Sequence, residues 1–182
     1  MVKEKKVWYS IIAPQLFNSV EVGETLAKDE KDLINRKVEV PLSDITNNPS
    51  EIYSFVVFRI NKVDGNKAYT CIDSFFIPQP FVKSLARKRR EVIKIVKDCL
   101  AKDTKVRIKA IVITPKISKA QEKTIRKNTE KILEDFTKDK NFEEIVEGVI
   151  KKEVYKPIIE NASKIAPVQK FEVYKIEKRR KE

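Results

Sequence analysis

The sequence predicts an α+β fold, with a mainly antiparallel sheet or a partly closed β-barrel flanked by several helices. Three observations predict it: β-branched and aromatic runs cluster in the first half of the chain, helical periodicity dominates the second half, and one β-rich run follows the helices. Strands grouped apart from helices are typical of this class. The 182 residues, 41% of them hydrophobic, suffice for one sizeable core. We therefore expect a single domain over residues 21–177, an N-terminal arm over residues 1–20 packed on it, and a basic C-terminal tail over residues 178–182.

The N-terminal arm contains Trp8, Tyr9 and Phe17 beside an otherwise polar start. We expect these aromatic side chains to anchor the arm to the core, because aromatic rings carry large amounts of buried apolar area. Stacking of Trp8 against a nucleic-acid base is the alternative.

A β-hairpin is the clearest local structure. The runs Ile52–Lys62 and Lys67–Ile77 are rich in Val, Ile, Phe, Tyr and Thr, and they flank Asp64-Gly65. This dipeptide favours a two-residue turn whose residues tolerate positive φ. A shorter strand is predicted before the hairpin at Val38–Leu42, and Pro78 ends the second hairpin strand.

A helix is predicted over Phe81–Leu100, and its two faces differ in charge. At about 100° per residue, five cations fall on one stripe: Lys83, Arg87, Arg90, Lys94 and Lys97. Apolar side chains occupy the opposite arc, which predicts a face for the core and a face for an anion. Lys88 and Arg89 fall inside the apolar arc, so either their stems lie along the edge of the core or this first part of the helix leaves the core and enters a partner.

After this helix, alternating residues predict a half-buried strand at Thr104–Thr114, whose outer face begins with basic residues. Ser118 and Gln121 have the spacing of a capping box. They predict a second helix over roughly Lys119–Thr137, whose first half is basic.

The remaining elements are two shorter helices and a strand. Asn141 and Glu144 again have capping-box spacing, and Pro157 is placed to open the next helix. The last strand is predicted at Val168–Ile176.

The positive charge of the chain is concentrated in one segment. Residues 83–131 hold 17 Lys or Arg and 5 Asp or Glu, and the whole chain holds 39 against 27, so both have a surplus of 12. A surplus confined to about a third of the chain indicates a surface for a polyanion. No apolar run approaches the length of a membrane span, and we expect a cytosolic protein without a membrane partner.

Catalytic and metal-binding motifs are not apparent. The sequence has no His and only three Gly, which removes the commonest general base and the glycine-rich phosphate loops. Glu143, Glu144 and Glu147 could support a metal-dependent ribonuclease, although acidic residues in a first helical turn are ordinarily structural. Cys71 and Cys99 are expected to be buried free thiols. We therefore expect no enzyme activity, no cofactor, no metal and no small-molecule substrate.

Several stretches together resemble the eS1 family of small-subunit ribosomal proteins, also called S3Ae. They are Lys5–Asn18, Val38–Thr46, Val82–Arg90, Thr124–Lys127 and Pro167–Lys178. The Trp-Tyr…Ala-Pro…Phe-Asn opening and the Ser-Leu-x-Arg-x-Arg-Arg run are the most telling, and the archaeal version fits best. The resemblance implies a β-barrel-like core flanked by helices and a structural role in the cytoplasmic ribosome. It also implies that the partners are ribosomal RNA and neighbouring proteins of the small-subunit platform.

The RNA-binding residues expected from the charge pattern and this resemblance lie on the first predicted helix and around the second. They are Lys83, Arg87, Lys88, Arg89, Arg90, Lys94, Lys97, Lys116, Lys119, Lys123, Arg126 and Lys127. Binding of an acidic protein partner by the same basic surface is the alternative function. Breadth argues against it, because the surplus spans two predicted helices and a strand.

Overall fold

The computed structural model describes residues 6–86 and 90–179. The chain folds as two compact units, Met1–Phe76 and Ile77–Glu182. In the described ranges there are eight strands and five α-helices, and nearly all strand pairs are antiparallel. The predicted α+β class with a mainly antiparallel sheet is confirmed.

The first unit contains five strands and one short helix. They are β1 (Val7–Ile12), β2 (Glu21–Ala27), β3 (Lys37–Pro41), α1 (Leu42–Thr46), β4 (Phe55–Asp64) and β5 (Lys67–Phe76). The strand order is β2-β1-β5-β4-β3, in which only the β1–β5 pair is parallel. Within this described unit the order ends at β2 and at β3, so the sheet is open, which is the first of the two predicted alternatives.

The predicted hairpin is confirmed as β4 and β5, with its turn one residue later than expected. Asp64 pairs with Lys67, so the two loop residues are Gly65 and Asn66. Gly65 has a φ of 56°, which glycine adopts without the steric cost that a Cβ would add.

The segment predicted as an N-terminal arm contains β1, and its aromatic side chains point to both faces of the sheet. Tyr9 and Phe17 are buried, and the Phe17 ring meets Phe58 edge to face at 5.7 Å between centroids. Trp8 is 57% exposed, so the prediction that it anchors to the core is wrong. Successive strand residues point to opposite faces, and burial of Tyr9 therefore turns Trp8 outward.

The second unit contains three strands and four helices. They are α2 (Gln79–Leu85), β6 (Arg90–Leu100), β7 (Lys105–Pro115), α3 (Lys119–Thr137), α4 (Phe142–Ile150), α5 (Tyr155–Ser163) and β8 (Lys170–Lys178). The three strands form an antiparallel sheet in the order β6-β7-β8. Of the predicted tail, Lys178 is the last residue of β8, and residues 180–182 lie outside the described part of the chain.

The prediction of one helix over Phe81–Leu100 is wrong. The helix ends at Leu85, and residues 90–100 form β6, which pairs with β7 along its whole length. Buried Ile93 and Ile95 alternate with exposed Lys94 and Val96, which is the two-residue period of a strand. The β-branched side chains of this run also lose rotamer freedom in a helix, so both preferences favour the strand.

The later elements agree closely with the predictions. α3 has the predicted bounds, and its N-terminus is closed by the Ser118–Gln121 capping box. α4 begins after a second capping box, and β8 overlaps the predicted last strand. The two cysteines are free, with Cys99 buried and Cys71 partly buried. None of the helices in the described ranges is both long and apolar enough to cross a bilayer.

Candidate nucleic-acid interface

The two faces of β6 have different neighbours. Lys97 Nζ lies 2.7 Å from Glu134 Oε1 on α3, and Cys99 lies against Thr137 on the same helix. The odd-numbered residues of β6 therefore face α3, and the even-numbered residues, including Lys94, face away from it. A helix would have placed Lys94 and Lys97 on one stripe, whereas the strand separates them.

Exposed lysines form a row along α3. Its inner face is fixed by buried Ile125, Thr129, Leu133 and Thr137, so the basic positions between them point to solvent. The row consists of Lys119, Lys123, Lys127 and Lys131, all of them exposed, and we call it the α3 lysine row. Successive members are four residues apart, which is a rise of about 6 Å along the helix axis.

A groove runs beside the α3 lysine row and reaches the neighbouring strand. Its volume is about 830 Å³, and its charged lining residues are four lysines and two glutamates. They are Lys97, Lys123, Lys127, Lys131, Glu130 and Glu134. The groove therefore has a surplus of positive charge with a depth that a flat lysine surface lacks, which suits a phosphate backbone.

Two of the predicted cations in this region already have carboxylate partners. The hydrogen bond to Glu134 raises the pKa of Lys97, and Arg126 Nη2 donates to Glu122 Oε1 at 2.6 Å. Arg126 Nε also donates to the Lys94 carbonyl oxygen at 3.3 Å, so this side chain ties α3 to β6. Both residues stabilise the interface, and their charges are partly compensated within the protein.

The other predicted RNA-binding residues are dispersed. Lys83 is exposed on α2, Lys116 is exposed between β7 and α3, and Lys94 is exposed on the face of β6 away from α3. Arg90 lines a smaller pocket of about 380 Å³ with Lys170. Arg87, Lys88 and Arg89 lie outside the described residues. Among the described residues, the structure thus brings together the α3 positions and Lys97, and it leaves Lys83, Arg90, Lys94 and Lys116 apart from them.

The face of the sheet away from α3 is also basic, and apart from the even-numbered β6 residues Arg90 and Lys94 the predicted set did not include its residues. Asp98 accepts hydrogen bonds from Arg107 Nε at 2.6 Å and from Arg179, and the Arg107 hydrogen bond lowers the pKa of Asp98. Glu177 contacts Lys109 at 3.0 Å and Lys175 at 2.7 Å. Burial opposes ionisation of Glu177, but hydrogen bonds from these two lysines lower its pKa overall.

Alternation in β7 was the signal for this face, because Lys105, Arg107 and Lys109 are two residues apart. Lys131 was also absent from the predicted set, although it continues the four-residue spacing of the α3 lysine row.

Two of the three acidic residues considered for metal catalysis have structural partners. Glu144 Oε2 accepts from the Asn141 backbone N–H at 2.7 Å and closes the α4 capping box. Glu147 pairs with Lys151, one turn later. Within residues 6–86 and 90–179, no group of three or more His, Cys, Asp or Glu side chains is placed to share a metal ion.

The fold and this surface define a small α+β protein whose second unit carries a row of exposed lysines along one helix. The chain belongs to the Ribosomal S3Ae family, whose model matches residues 2–181. It is similar to proteins named small ribosomal subunit protein eS1 from several archaea. The protein from Methanopyrus kandleri is 37% identical over 144 residues, which cover 76% of this chain and 68% of that protein. The protein from Archaeoglobus fulgidus is 33% identical over 183 residues and covers 97% and 87% of the two chains. The protein from Methanococcus maripaludis strain C7 is 33% identical over 176 residues, with coverages of 96% and 79%.

Proposed function

We propose that this chain is a structural component of the archaeal small ribosomal subunit and that it binds ribosomal RNA through the α3 lysine row and its groove. Membership of the Ribosomal S3Ae family supports the ribosomal role. The observation that carries the RNA-binding surface is the alignment of Lys119, Lys123, Lys127 and Lys131 on the exposed side of one helix. The site of action is then the ribosome in the cytoplasm.

The α3 lysine row acts by neutralising phosphates. Each lysine that meets a phosphate releases counterions from the RNA, and this release provides affinity that falls as salt rises. Lysine ammonium groups contact phosphates as point charges, so the row follows a backbone and does not read bases. Selectivity for folded RNA comes from the shape of the groove between α3 and β6, because helical RNA is recognised mostly by shape and backbone contacts.

The rigidity of the surface comes from the paired residues around it. Lys97 is held by Glu134, and Arg126 is held by Glu122 and by the Lys94 carbonyl oxygen. These contacts fix α3 on β6, so the lysines are displayed on a preformed scaffold. Binding RNA then requires little ordering of the protein backbone, which reduces the entropic cost of association. Contacts with neighbouring proteins of the subunit platform are a further part of this proposal.

The experiment compares two triple variants with the same change in net charge. The test variant is Lys123→Gln, Lys127→Gln and Lys131→Gln, and the control is Lys31→Gln, Lys62→Gln and Lys156→Gln, all at exposed positions. Gln is nearly as good a helix former as Lys, and substitutions at exposed positions change stability little, so both variants should unfold like the parent protein. Affinity for small-subunit RNA is measured over a range of salt, and sedimentation with small subunits is measured in an archaeal lysate.

We expect the test variant to lose affinity and sedimentation with the small subunit. The slope of log affinity against log salt should flatten by about 0.7–0.9 for each phosphate that the protein no longer neutralises. The control should keep most of both. Equal losses in the two variants would show that net charge acts without a specific surface, and an unchanged slope in the test variant would remove the α3 lysine row from the interface.

A further inference from the structure

Trp8 is the only tryptophan in the chain, and its side chain is 57% exposed. It lies on β1 directly opposite Leu26 of β2, and Leu26 is itself 37% exposed. On the other face of the same two strands, Tyr9 and Ala27 are buried in a cluster with Leu33 and Ile60. The core of the first unit is therefore complete without Trp8, and the Trp8–Leu26 pair forms an apolar platform on the outer face.

Two exposed lysines lie near this platform. Lys6 is exposed and lies two residues before Trp8, and the sequence from Lys3 to Lys6 holds three lysines and one glutamate. Lys67 of β5 is exposed and lies opposite Ser10, on the same face of the sheet as Trp8. Glu24 is the acidic residue on the same face, farther along the strand.

The extent of the platform indicates the kind of partner. The face continues beyond Trp8 and Leu26 with Ser10 and Glu24, so the exposed apolar area at this position is one cross-strand pair wide. A protein interface has a larger apolar core inside a polar rim. An aromatic side chain beside cations, in contrast, is the common arrangement for stacking an unpaired base while neutralising its phosphates.

We propose that Trp8, supported by Leu26, is a stacking platform for an unpaired base of RNA, with Lys6 and Lys67 beside the flanking phosphates. The site lies in the first unit, whereas the α3 lysine row lies in the second. It rests on the proposed function in one respect, namely that the partner is RNA. It adds a contact of different chemistry, because a stacked base must be unpaired while a lysine row accepts a duplex.

Because Trp8 is the only tryptophan, its fluorescence reports directly on this site. The parent protein is titrated with a short single-stranded RNA and, separately, with the duplex of the same sequence. We expect the single strand to quench the Trp8 emission and the duplex to leave it nearly unchanged. Labelled single-stranded RNA is then used to compare Trp8→Ala, Trp8→Phe and the parent protein at equal salt.

Trp8→Ala should weaken binding of the single strand by about ten-fold to a hundred-fold, the range expected for loss of one base–aromatic stack. Trp8→Phe should retain most of the affinity, because a phenyl ring still stacks. Thermal unfolding of both variants should remain close to that of the parent protein, since the core does not use this side chain.

Three outcomes would overturn the proposal: no quenching by the single strand, equal quenching by the duplex, or unchanged affinity in Trp8→Ala. If Trp8→Ala instead reduces binding to small-subunit proteins while single-strand affinity is unchanged, the platform is a protein contact and the proposal is wrong. The triple variant of the α3 lysine row should still show Trp8 quenching. If the triple variant binds RNA as tightly as the parent protein while single-stranded RNA still quenches Trp8, only the proposed role of the α3 lysine row is contradicted. If the triple variant loses affinity while Trp8 is not quenched in the parent protein, only the stacking site is contradicted.

Discussion

The substitution Glu134→Gln should strengthen RNA binding. Glu134 Oε1 lies 2.7 Å from Lys97 Nζ, and both side chains line the groove beside the α3 lysine row. The carboxylate therefore compensates one of the four lysines in the groove. Glutamine keeps the size and the helix propensity of glutamate but removes the negative charge, so the charge surplus of the groove increases by one.

The expected gain in RNA affinity is that of one additional phosphate contact. The slope of log affinity against log salt should become steeper by about 0.7–0.9. Between about 50 and 200 mM salt, the variant should therefore lose about three-fold more affinity than the parent protein loses. Lys97→Gln should lower RNA affinity, but less than Lys127→Gln does, because Glu134 already compensates the charge of Lys97.

The assay is a salt titration of RNA affinity for the parent protein, Glu134→Gln, Lys97→Gln and Lys127→Gln. Glu39→Gln, at an exposed position of β3 in the first unit, is the matched control for a change of one charge. An unchanged or weaker affinity in Glu134→Gln would refute the reasoning, and so would an equal gain in Glu39→Gln, because the effect would then come from net charge alone.

Two further predictions concern the stability of the second unit. Tyr155→Phe should lower the free energy of unfolding by about 1–3 kcal/mol, because the largely buried hydroxyl donates to Glu172 at 2.7 Å and accepts from a backbone N–H of β8. Urea unfolding measures this loss. Unchanged stability would mean that water replaces the two hydrogen bonds. Asp98 should make stability depend on pH in acid, because Arg107 lowers its pKa below the ordinary 3.8. Its contribution is full above about pH 5 and is lost as the pH falls through its folded value. Urea unfolding over this acid range should show a smaller pH dependence for Asp98→Asn, and an identical one would contradict the stabilising role of the pair with Arg107.

The elements that the sequence predicts best are those whose ends are marked by capping residues. The predicted bounds of α3 agree with the observed ones, because Ser118 and Gln121 form a capping box and the residues that follow have helical periodicity. The run from Arg90 to Leu100 was misjudged because its cations fit a helical stripe while its apolar residues fit a strand. The density of Val and Ile in this run favours β structure and was the better guide. Pairing with β7 is a long-range contact, which local periodicity cannot reveal.

The candidate site was predicted in part for the same reason. The α3 lysines were correctly grouped with one another because helix periodicity alone determines their common side. Lys94 and Lys97 were grouped wrongly because that grouping depended on the misjudged helix. The pairing of Lys97 with Glu134 joins two elements that are distant in sequence, so composition could count the charges but could not show which were compensated. Trp8 was misplaced because an aromatic residue was assumed to be buried, whereas strand alternation leaves only one of two neighbours inside.

The antiparallel sheet of the second unit also sets an order of events during synthesis. β6 and β7 are adjacent in the chain and can pair as soon as both have emerged from the ribosome that makes them. β8 pairs with β7 only after three helices have been translated, and Arg179 reaches Asp98 across 81 residues. Until then β7 has an unpaired edge and the bridging carboxylate lacks one of its two arginines. Translation must therefore pass residue 179 before this unit can close, whereas the strands of the first unit are all present once Phe76 has emerged. The nascent chain thus has a period in which one unit is complete and the other needs protection from pairing with foreign strands.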